Sequence, residues 1–217
     1  MSGPADMRQS YDVPGLTEAE AGPEPMPLFH RWFADAEAAG VKEPNAMTVA
    51  TVDAAGLPDA RVVLLKGFDG PTGALGPGFR FFTNYDSQKG RQLGDVPHAA
   101  LVFYWDALDR QVRVRGSAHR LDAAESDAYF RSRPRGSRLG AWASPQSSVI
   151  PARSTLRAAY TAAEARHGEA LQRPPTWGGY TVRADAIEFW QGQPGRLHDR
   201  LRYTRVEQGW RRERLAA

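Results

Sequence analysis

Apolar residues first recur at helical spacing at Leu28, Trp32 and Ala36. Pro27 suits a first turn and Gly40 a C-terminal cap, so one amphipathic helix is expected there. Residues 1–25 before it are polar, acidic and broken by Pro4, Pro14, Gly15, Pro23 and Pro25, which reads as a mobile N-terminal arm. After the helix the period shortens. Runs rich in β-formers cover Ala46–Val52, Ala60–Phe68, Phe79–Asn84, Ala99–Trp105 and Arg110–His119, separated by turn chemistry such as Asp53-Ala-Ala-Gly56. Such close spacing predicts hairpins and an antiparallel sheet. Helical patterns follow over Asp122–Ser132, opened by an Asp122/Glu125 pair resembling a capping box, and over Ser154–His167. Strands return around Tyr180–Trp190, Leu201–Val206 and Gly209–Leu215. A mainly β fold is expected, an antiparallel barrel with peripheral helices, because closure removes the edges such a meander would expose. Nothing in 26–217 reads as a repeat or linker, so that span is expected to form a single domain.

Composition narrows the chemistry. With 41% hydrophobic and 10% aromatic residues in 217, wholesale disorder is excluded. The absence of cysteine removes disulfides, thiolate metal ligands and a Cys nucleophile. No apolar run approaches the ~18 residues of a membrane helix, and Met1–Gly15 lacks a signal-type stretch, so a cytoplasmic protein without a membrane partner is expected. Residues 1–60 carry three basic against ten acidic side chains, leaving 25 against 15 in 61–217, so the later part attracts anions. Only Lys42, Lys66 and Lys89 among 28 basic residues are lysines, which draws attention to each.

In Arg61-Val-Val-Leu-Leu-Lys66 two cations five residues apart fall on opposite faces of a regular strand, and solvated strand ends are the plain alternative to a binding role. Thr83-Asn-Tyr-Asp-Ser-Gln-Lys-Gly90 joins a strand to a helix. Free N–H groups there, with Thr83, Ser87 and Lys89, make a phosphate cradle, compatible with a simple N-cap by Asp86 or Ser87. Strict alternation in Arg110-Gln-Val-Arg-Val-Arg115 puts Gln111, Arg113 and Arg115 on one face. Tyr129 and Arg133 lie one helical turn apart with Ser137 beyond Pro134, a set suited to phosphate or simply to the helix's own dipole. Along an extended chain Arg196, His198 and Arg200 share one side. His198 is the one histidine in a dense polar constellation; His30, His98, His119 and His167 stand apart. There is no HExxH, Cys/His cluster, P-loop or G-x-S-x-G, so no metal site, Walker-type hydrolysis or serine-esterase chemistry is supported.

Taken together, these segments resemble the pyridoxamine 5′-phosphate oxidase family, also called pyridoxine 5′-phosphate oxidase. The resemblance runs from about Arg8 to Leu215. It rests on Arg61-Val-Val-Leu-Leu-Lys-Gly67, Phe81-Phe-Thr-Asn-Tyr85, Arg110-Gln-Val-Arg113, Tyr129-Phe-Arg-Ser-Arg-Pro134, Gly140-Ala-Trp-Ala-Ser144 with Gln146-Ser147, Trp177-Gly-Gly179, Glu188-Phe-Trp-Gln-Gly192 and Arg196-Leu-His-Asp-Arg200, in that order. It implies an FMN-binding split β-barrel working as a homodimer, with flavin sites built from both subunits. By matching position, Arg61, Lys66, Thr83, Gln88, Lys89 and Ser147 would hold the flavin phosphate and ribityl chain. The ring system would meet Arg61, Val62, Val63, Leu64, Leu65, Lys66 and Phe82, with Gln111, Gln146, Trp190 and Arg200 completing the pocket. The resemblance further implies that Lys66, Tyr129, Arg133 and Ser137 hold the substrate phosphate. Arg196 and His198 would act over the pyridine ring, chiefly by positioning, and Arg8 and Tyr11 would close over substrate. The implied reaction oxidises pyridoxamine or pyridoxine 5′-phosphate to pyridoxal 5′-phosphate, with dioxygen giving hydrogen peroxide and ammonia released from the amine, a step of vitamin B6 cofactor biosynthesis and salvage.

Three positions depart from the family pattern: Gln88 where a second cation often precedes Lys89, Arg138 where glutamine is usual, and a longer Gly70–Gly78 turn. The nearest rival is another FMN oxidase of this barrel, of the phenazine-pathway type, which would keep the flavin set and alter the substrate set. A non-catalytic flavin or pyridoxal phosphate binder is a second class. A nucleic-acid-binding barrel, suggested by a pI near 9.4, lacks a basic, aromatic-studded strand face, so no nucleic acid is expected.

Overall fold

In the computed structural model the described residues are 3–7, 10, 11, 13–68, 78–168 and 171–217. Among them are strands β1 (Ala46–Val52), β2 (Pro58–Leu64), β3 (Gly78–Asn84), β4 (His98–Trp105), β5 (Arg110–Arg120), β6 (Trp177–Gln191), β7 (Asp199–Arg205) and β8 (Trp210–Arg214). Helices are α1 (Glu18–Ala21), α2 (Pro25–Ala38), α3 (Gln88–Asp95), α4 (Ala123–Ser132), α5 (Arg135–Ala143) and α6 (Arg153–Arg166). The strand order is β2-β1-β4-β5-β6-β7-β8, with β3 also pairing β6. Among the described residues no helix is long and apolar enough to cross a membrane. The chain divides into two compact units, Met1–Val49 with Ala100–Gly116 and Ala184–Ala217, and Ala50–Ala99 with Ser117–Arg183.

In the first unit α2 opens with Pro25 and buries Leu28, Phe29, Trp32 and Ala36, one stripe at helical spacing. Phe29 meets the ring of Phe103 at 5.3 Å, and Trp32 stands edge-on to Phe189 at 5.2 Å. Each such ring removed from water contributes roughly 1.5–3 kcal/mol. Arg110 closes this core by stacking over Trp32 at 4.5 Å while pairing with Asp35 at 2.6 Å. Antiparallel β6, β7 and β8 complete the unit, with Trp190 opposite Arg200 and Leu201 opposite Arg214.

The second unit is organised by β3 against the first half of β6, with Phe81 opposite Tyr180 and Phe82 opposite Gly179. Its separate core joins Phe130, Leu139, Ala143, Ala163, Leu171 and Trp177. The Trp177-Gly178-Gly179 motif gains a reason here. A Cβ at Gly178 would collide with the Tyr85 phenol, and one at Gly179 with Leu121 and the Phe82 ring, so only glycine lets β6 pass under those rings.

Several elements differ from the sequence reading. β2 ends at Leu64, before the expected Phe68; beyond it Gly67 makes one bridge to Arg80, so Lys66 leaves the regular strand. Helix α5 went unread because Gly136 and Gly140 dilute its pattern, yet it packs on α6 through buried Leu139 and Ala143. The acidic segment before α2 holds buried Leu16 and Ala21 and a short helix closed by a Thr17/Glu20 capping box. Two apolar residues are too few to show a period. Asp122 caps α4 as expected, accepting from the Glu125 N–H at 2.7 Å, but the reciprocal half of the expected capping box is not formed: the Glu125 carboxylate pairs with Arg80 at 3.0 Å. Arg8 and most of the Gly70–Gly78 turn lie outside the described residues.

Candidate active site

The second unit carries two cationic stations. At the first, Ser87 caps α3, accepting from the Gly90 N–H while its own hydroxyl donates to the Asn84 carbonyl at 2.6 Å. Of the two N-cap candidates Ser87, not Asp86, is the one realised, and the helix N-terminus leaves Lys89, two residues on, buried. Among the described residues its ammonium has one hydrogen bond, to Thr83 Oγ1 at 3.3 Å. Burial lowers the Lys89 pKa, and the neighbouring Arg61 cation lowers it further. Arg61 donates to Thr51 Oγ1 at 2.6 Å, Asp59 Oδ2 at 2.5 Å and Gln92 Oε1 at 3.1 Å. Gln146 Oε1 accepts from Thr83 Oγ1 at 3.2 Å and from the Asn84 N–H at 3.3 Å. Its neighbour Ser147 holds a left-handed φ of 71°. Gln88, Lys66 and Ser147 are exposed, as is Val62, while Val63 and Leu64 are half-buried and Leu65 is buried.

At the second station three rings stack in parallel. Phe82 lies on Tyr129 at 3.9 Å and on Trp177 at 5.5 Å, with Tyr129 and Trp177 at 6.2 Å. The Arg133 guanidinium sits over Trp177 at 4.6 Å. Its Nη1 is buried with no hydrogen-bond partner among the described residues, and burial lowers its pKa. A cavity of about 300 Å³ opens there, lined by Asn84, Arg133, Ser137, Gln146 and Trp177 among others. The two readings of Arg133 were a phosphate ligand and a cation complementing its helix dipole. A guanidinium with a buried unpaired donor facing a cavity favours the ligand.

In the first unit Tyr11, Trp190 and His198 form an aromatic corner. Tyr11 is edge-on to Trp190 at 5.8 Å and to His198 at 5.4 Å, and Trp190 meets His198 at 4.7 Å. The Gln193 N–H donates to His198 Nδ1 at 3.1 Å, so the neutral ring carries its proton on Nε2. Arg196 and His198 line a cavity of about 480 Å³ with Tyr11, Ser10 and Gln193. The extended run expected at 196–200 is not what forms. Pro194-Gly195-Arg196 makes a tight turn with left-handed φ at Gly195 (64°) and Arg196 (63°), and β7 begins only at Asp199. Arg200 is consequently separated from that pair. It chelates Glu188 Oε1 through Nε at 3.0 Å and Nη2 at 2.8 Å, while Arg113 reaches Oε2 at 3.3 Å. These three line a second cavity of about 320 Å³ with Arg115, Arg202 and Leu215. Gln111, on β5, is half-buried.

Sequence reasoning gave no role to Trp177, Glu188 or Gln193. Trp177 and Glu188 each open a motif of the family pattern, and Glu188 also stands as a carboxylate inside an arginine-rich strand pair; neither signal specifies the ring stack or the ion pairs, whose partners are distant in sequence. Gln193 gave none.

The pyridoxamine 5′-phosphate oxidase family profile matches residues 33–167, and that of the pyridoxine 5′-phosphate oxidase C-terminal dimerisation region matches 177–217. The chain is 54% identical to a pyridoxine/pyridoxamine 5′-phosphate oxidase of Burkholderia vietnamiensis over 98% of each chain. It is 55% identical to that of Pseudomonas putida over 98% of this chain and 97% of the relative. Among solved structures, PhzG from Burkholderia lata 383, in complex with tetrahydrophenazine-1-carboxylic acid, superposes with a TM-score of 0.87 at 33% identity, covering 96% of this chain and all of that one. A pyridoxamine 5′-phosphate oxidase-related, FMN-binding protein of Nostoc punctiforme shares the fold, with a TM-score of 0.68 at 20% identity over 87% and 97% of the two chains. The residues present fit a phosphate-bearing flavin, because a buried ammonium with a single hydroxyl partner among the described residues calls for an anion. By profile, identity and architecture, the chain belongs to the pyridoxamine 5′-phosphate oxidase family of FMN-dependent oxidoreductases with an antiparallel split-barrel fold.

Proposed function

We propose that the protein oxidises pyridoxamine 5′-phosphate and pyridoxine 5′-phosphate to pyridoxal 5′-phosphate in the cytoplasm, as a homodimer whose two flavin sites each draw on both subunits. FMN held there would supply the redox chemistry, hydride acceptance from the substrate's exocyclic carbon and reoxidation by dioxygen to give hydrogen peroxide. With the alcohol the aldehyde forms directly; with the amine, water enters and ammonia leaves.

The chain's own residues supply binding and orientation. Arg61, Thr83 and Lys89, with Lys66, Gln88 and Ser147, hold the flavin phosphate and ribityl chain; Phe82, Val62–Leu65, Gln111, Gln146, Trp190 and Arg200 meet the ring system. Arg133, Ser137 and Tyr129, with Lys66, take the substrate phosphate. Arg196 and His198 cover the pyridine ring, and Tyr11 walls that pocket; Arg8 is assigned to the same closure. Holding donor carbon and acceptor in line supplies much of the rate without a nucleophile.

The observation that carries this reading is Arg133, a guanidinium stacked on Trp177 with a buried unpaired Nη1 facing a cavity beside Ser137. A phosphate monoester satisfies that donor. Overall likeness to PhzG favours the phenazine-type rival, yet the tetrahydrophenazine-1-carboxylic acid bound there is a carboxylic acid without a phosphate, and this station would be idle on it. The test is the visible spectrum of the FMN-loaded protein on anaerobic addition of pyridoxine 5′-phosphate, followed by air. Bleaching that recovers with oxygen, alongside new pyridoxal 5′-phosphate, is the expected result. Flavin that stays oxidised overturns the substrate assignment in favour of the rival.

A further inference from the structure

Arg214, on β8, is the hub of a polar cluster that the chemistry above does not use. Its Nε donates to Glu18 Oε1 at 2.6 Å, Nη1 to Asp199 Oδ1 at 2.5 Å and Nη2 to the Leu16 carbonyl at 2.9 Å. Asp199 Oδ2 in turn accepts the Leu16 N–H at 2.9 Å. Leu16 is thus gripped at both backbone groups. Arg212 Nη1 reaches the carbonyls of Glu18 and Gly22 at 2.5 Å each, and the Gln193 side-chain amide donates to the Val13 carbonyl at 3.1 Å. Gly15 lies so close that a Cβ there would stand 2.8 Å from Asp199 Oδ2. The Arg214 guanidinium holds the Glu18 carboxyl at a pKa of about 2, so the pair is charged throughout the physiological range. A four-residue helix such as α1 has no stability of its own to justify this fastening.

What the fastened segment carries does justify it. Tyr11, two residues before Val13, stands edge-on to both Trp190 and His198, and Gln193 that binds Val13 also fixes His198 Nδ1. We propose that Asp199, Arg214 and Gln193 are positioning residues for the substrate pocket: by clamping residues 13–22 to β7, β8 and the turn that precedes His198, they hold Tyr11 as a preformed wall for the pyridine ring. The inference rests on the functional reading above. It gives the acidic segment before α2 a fixed role in binding in place of free motion, and it places the cost of ordering that segment in folding rather than in each turnover.

The test compares Arg214→Ala, Arg214→Lys and Asp199→Asn with the wild-type FMN-loaded enzyme, alone and in a Tyr11→Ala background. Wild-type turnover of pyridoxine 5′-phosphate is measured first; no turnover there overturns the functional reading and the kinetic role together, before any variant is compared. With an active wild type, Arg214→Ala should raise KM about tenfold with kcat within about twofold, and Arg214→Lys should restore part of it. FMN affinity should not change. Hydrogen exchange across residues 13–22 should accelerate in Arg214→Ala and Asp199→Asn, and in the Tyr11→Ala background the Arg214 effect on KM should shrink to less than about twofold. Faster exchange with unchanged KM, or a KM effect equally large without Tyr11, overturns the inference and leaves the functional reading intact. Should Arg214→Ala fail to fold, the isosteric Asp199→Asn carries the same comparisons.

Discussion

The Lys89 ammonium lies 3.3 Å from the Thr83 hydroxyl, in a buried pocket where no carboxylate among the described residues pairs with it. An ammonium kept in that setting is destabilised until an anion arrives. Replacing Lys89 by Met removes a charge-assisted contact worth about 1.5–3 kcal/mol, so FMN affinity should fall roughly 10- to 100-fold. Fluorescence quenching of FMN titrated with protein reads this directly.

The same residue makes FMN binding proton-linked. Burial and the Arg61 cation lower the Lys89 pKa in the free protein, and a phosphate dianion alongside raises it again. Binding should therefore take up protons at alkaline pH, and FMN affinity should fall as pH rises through the lowered value. Calorimetry in buffers of differing ionisation enthalpy measures the uptake; release of protons would contradict the sign.

Arg133→Ala should raise KM for pyridoxine 5′-phosphate about 10- to 100-fold, matching the loss of about 1.5–3 kcal/mol from a charged hydrogen-bond donor. FMN affinity should stay as it was. Arg133→Lys should recover little, because an ammonium offers neither the planar stack on Trp177 nor the forked donors. Steady-state kinetics with a flavin titration on each variant separates the two effects.

Arg196 holds a left-handed φ of 63°, a conformation costing a non-glycine residue about 1 kcal/mol. Arg196→Gly removes that strain along with the guanidinium. Melting temperature should hold or rise slightly while KM for substrate increases, the mark of strain retained for function. A lower melting temperature would show the side chain to be structural.

Gly179→Ala drives a methyl group into Phe82 and Leu121. Overpacking of this kind costs about 1–3 kcal/mol, and because Phe82 stacks on Tyr129 the displacement should reach the substrate phosphate station. Denaturant titration and KM should both worsen.

The Glu18–Arg214 pair predicts an acid limb. With a folded pKa of about 2 against an ordinary 4.5, the stability it lends is complete above about 4.5 and disappears as pH falls to about 2. The melting difference between wild type and Glu18→Gln, followed from pH 6 to 2, should shrink across that window.

The α2 stripe, the strand alternation and the N-cap at Asp122 were legible because they depend on neighbours within about four positions, where side-chain period and capping chemistry act. The motif order from Arg61 to Arg200 likewise pointed to the family and its flavin. Other features depended on contacts the one-dimensional pattern does not encode. Pro194-Gly195 turns the chain sharply, so Arg196 and His198 share a cavity while Arg200 is drawn to Glu188, whose partner Arg113 lies 75 residues away. Helix α5 is stabilised by α6 rather than by its own glycine-bearing sequence. The segment before α2 reads as polar and loose, yet Arg214, nearly two hundred residues later, pins Leu16 and Glu18. Local propensity and periodicity belonged to the sequence by itself; the pairing of charges was decided only by tertiary structure, because a charged side chain takes whichever opposite charge or dipole the fold brings within hydrogen-bond reach.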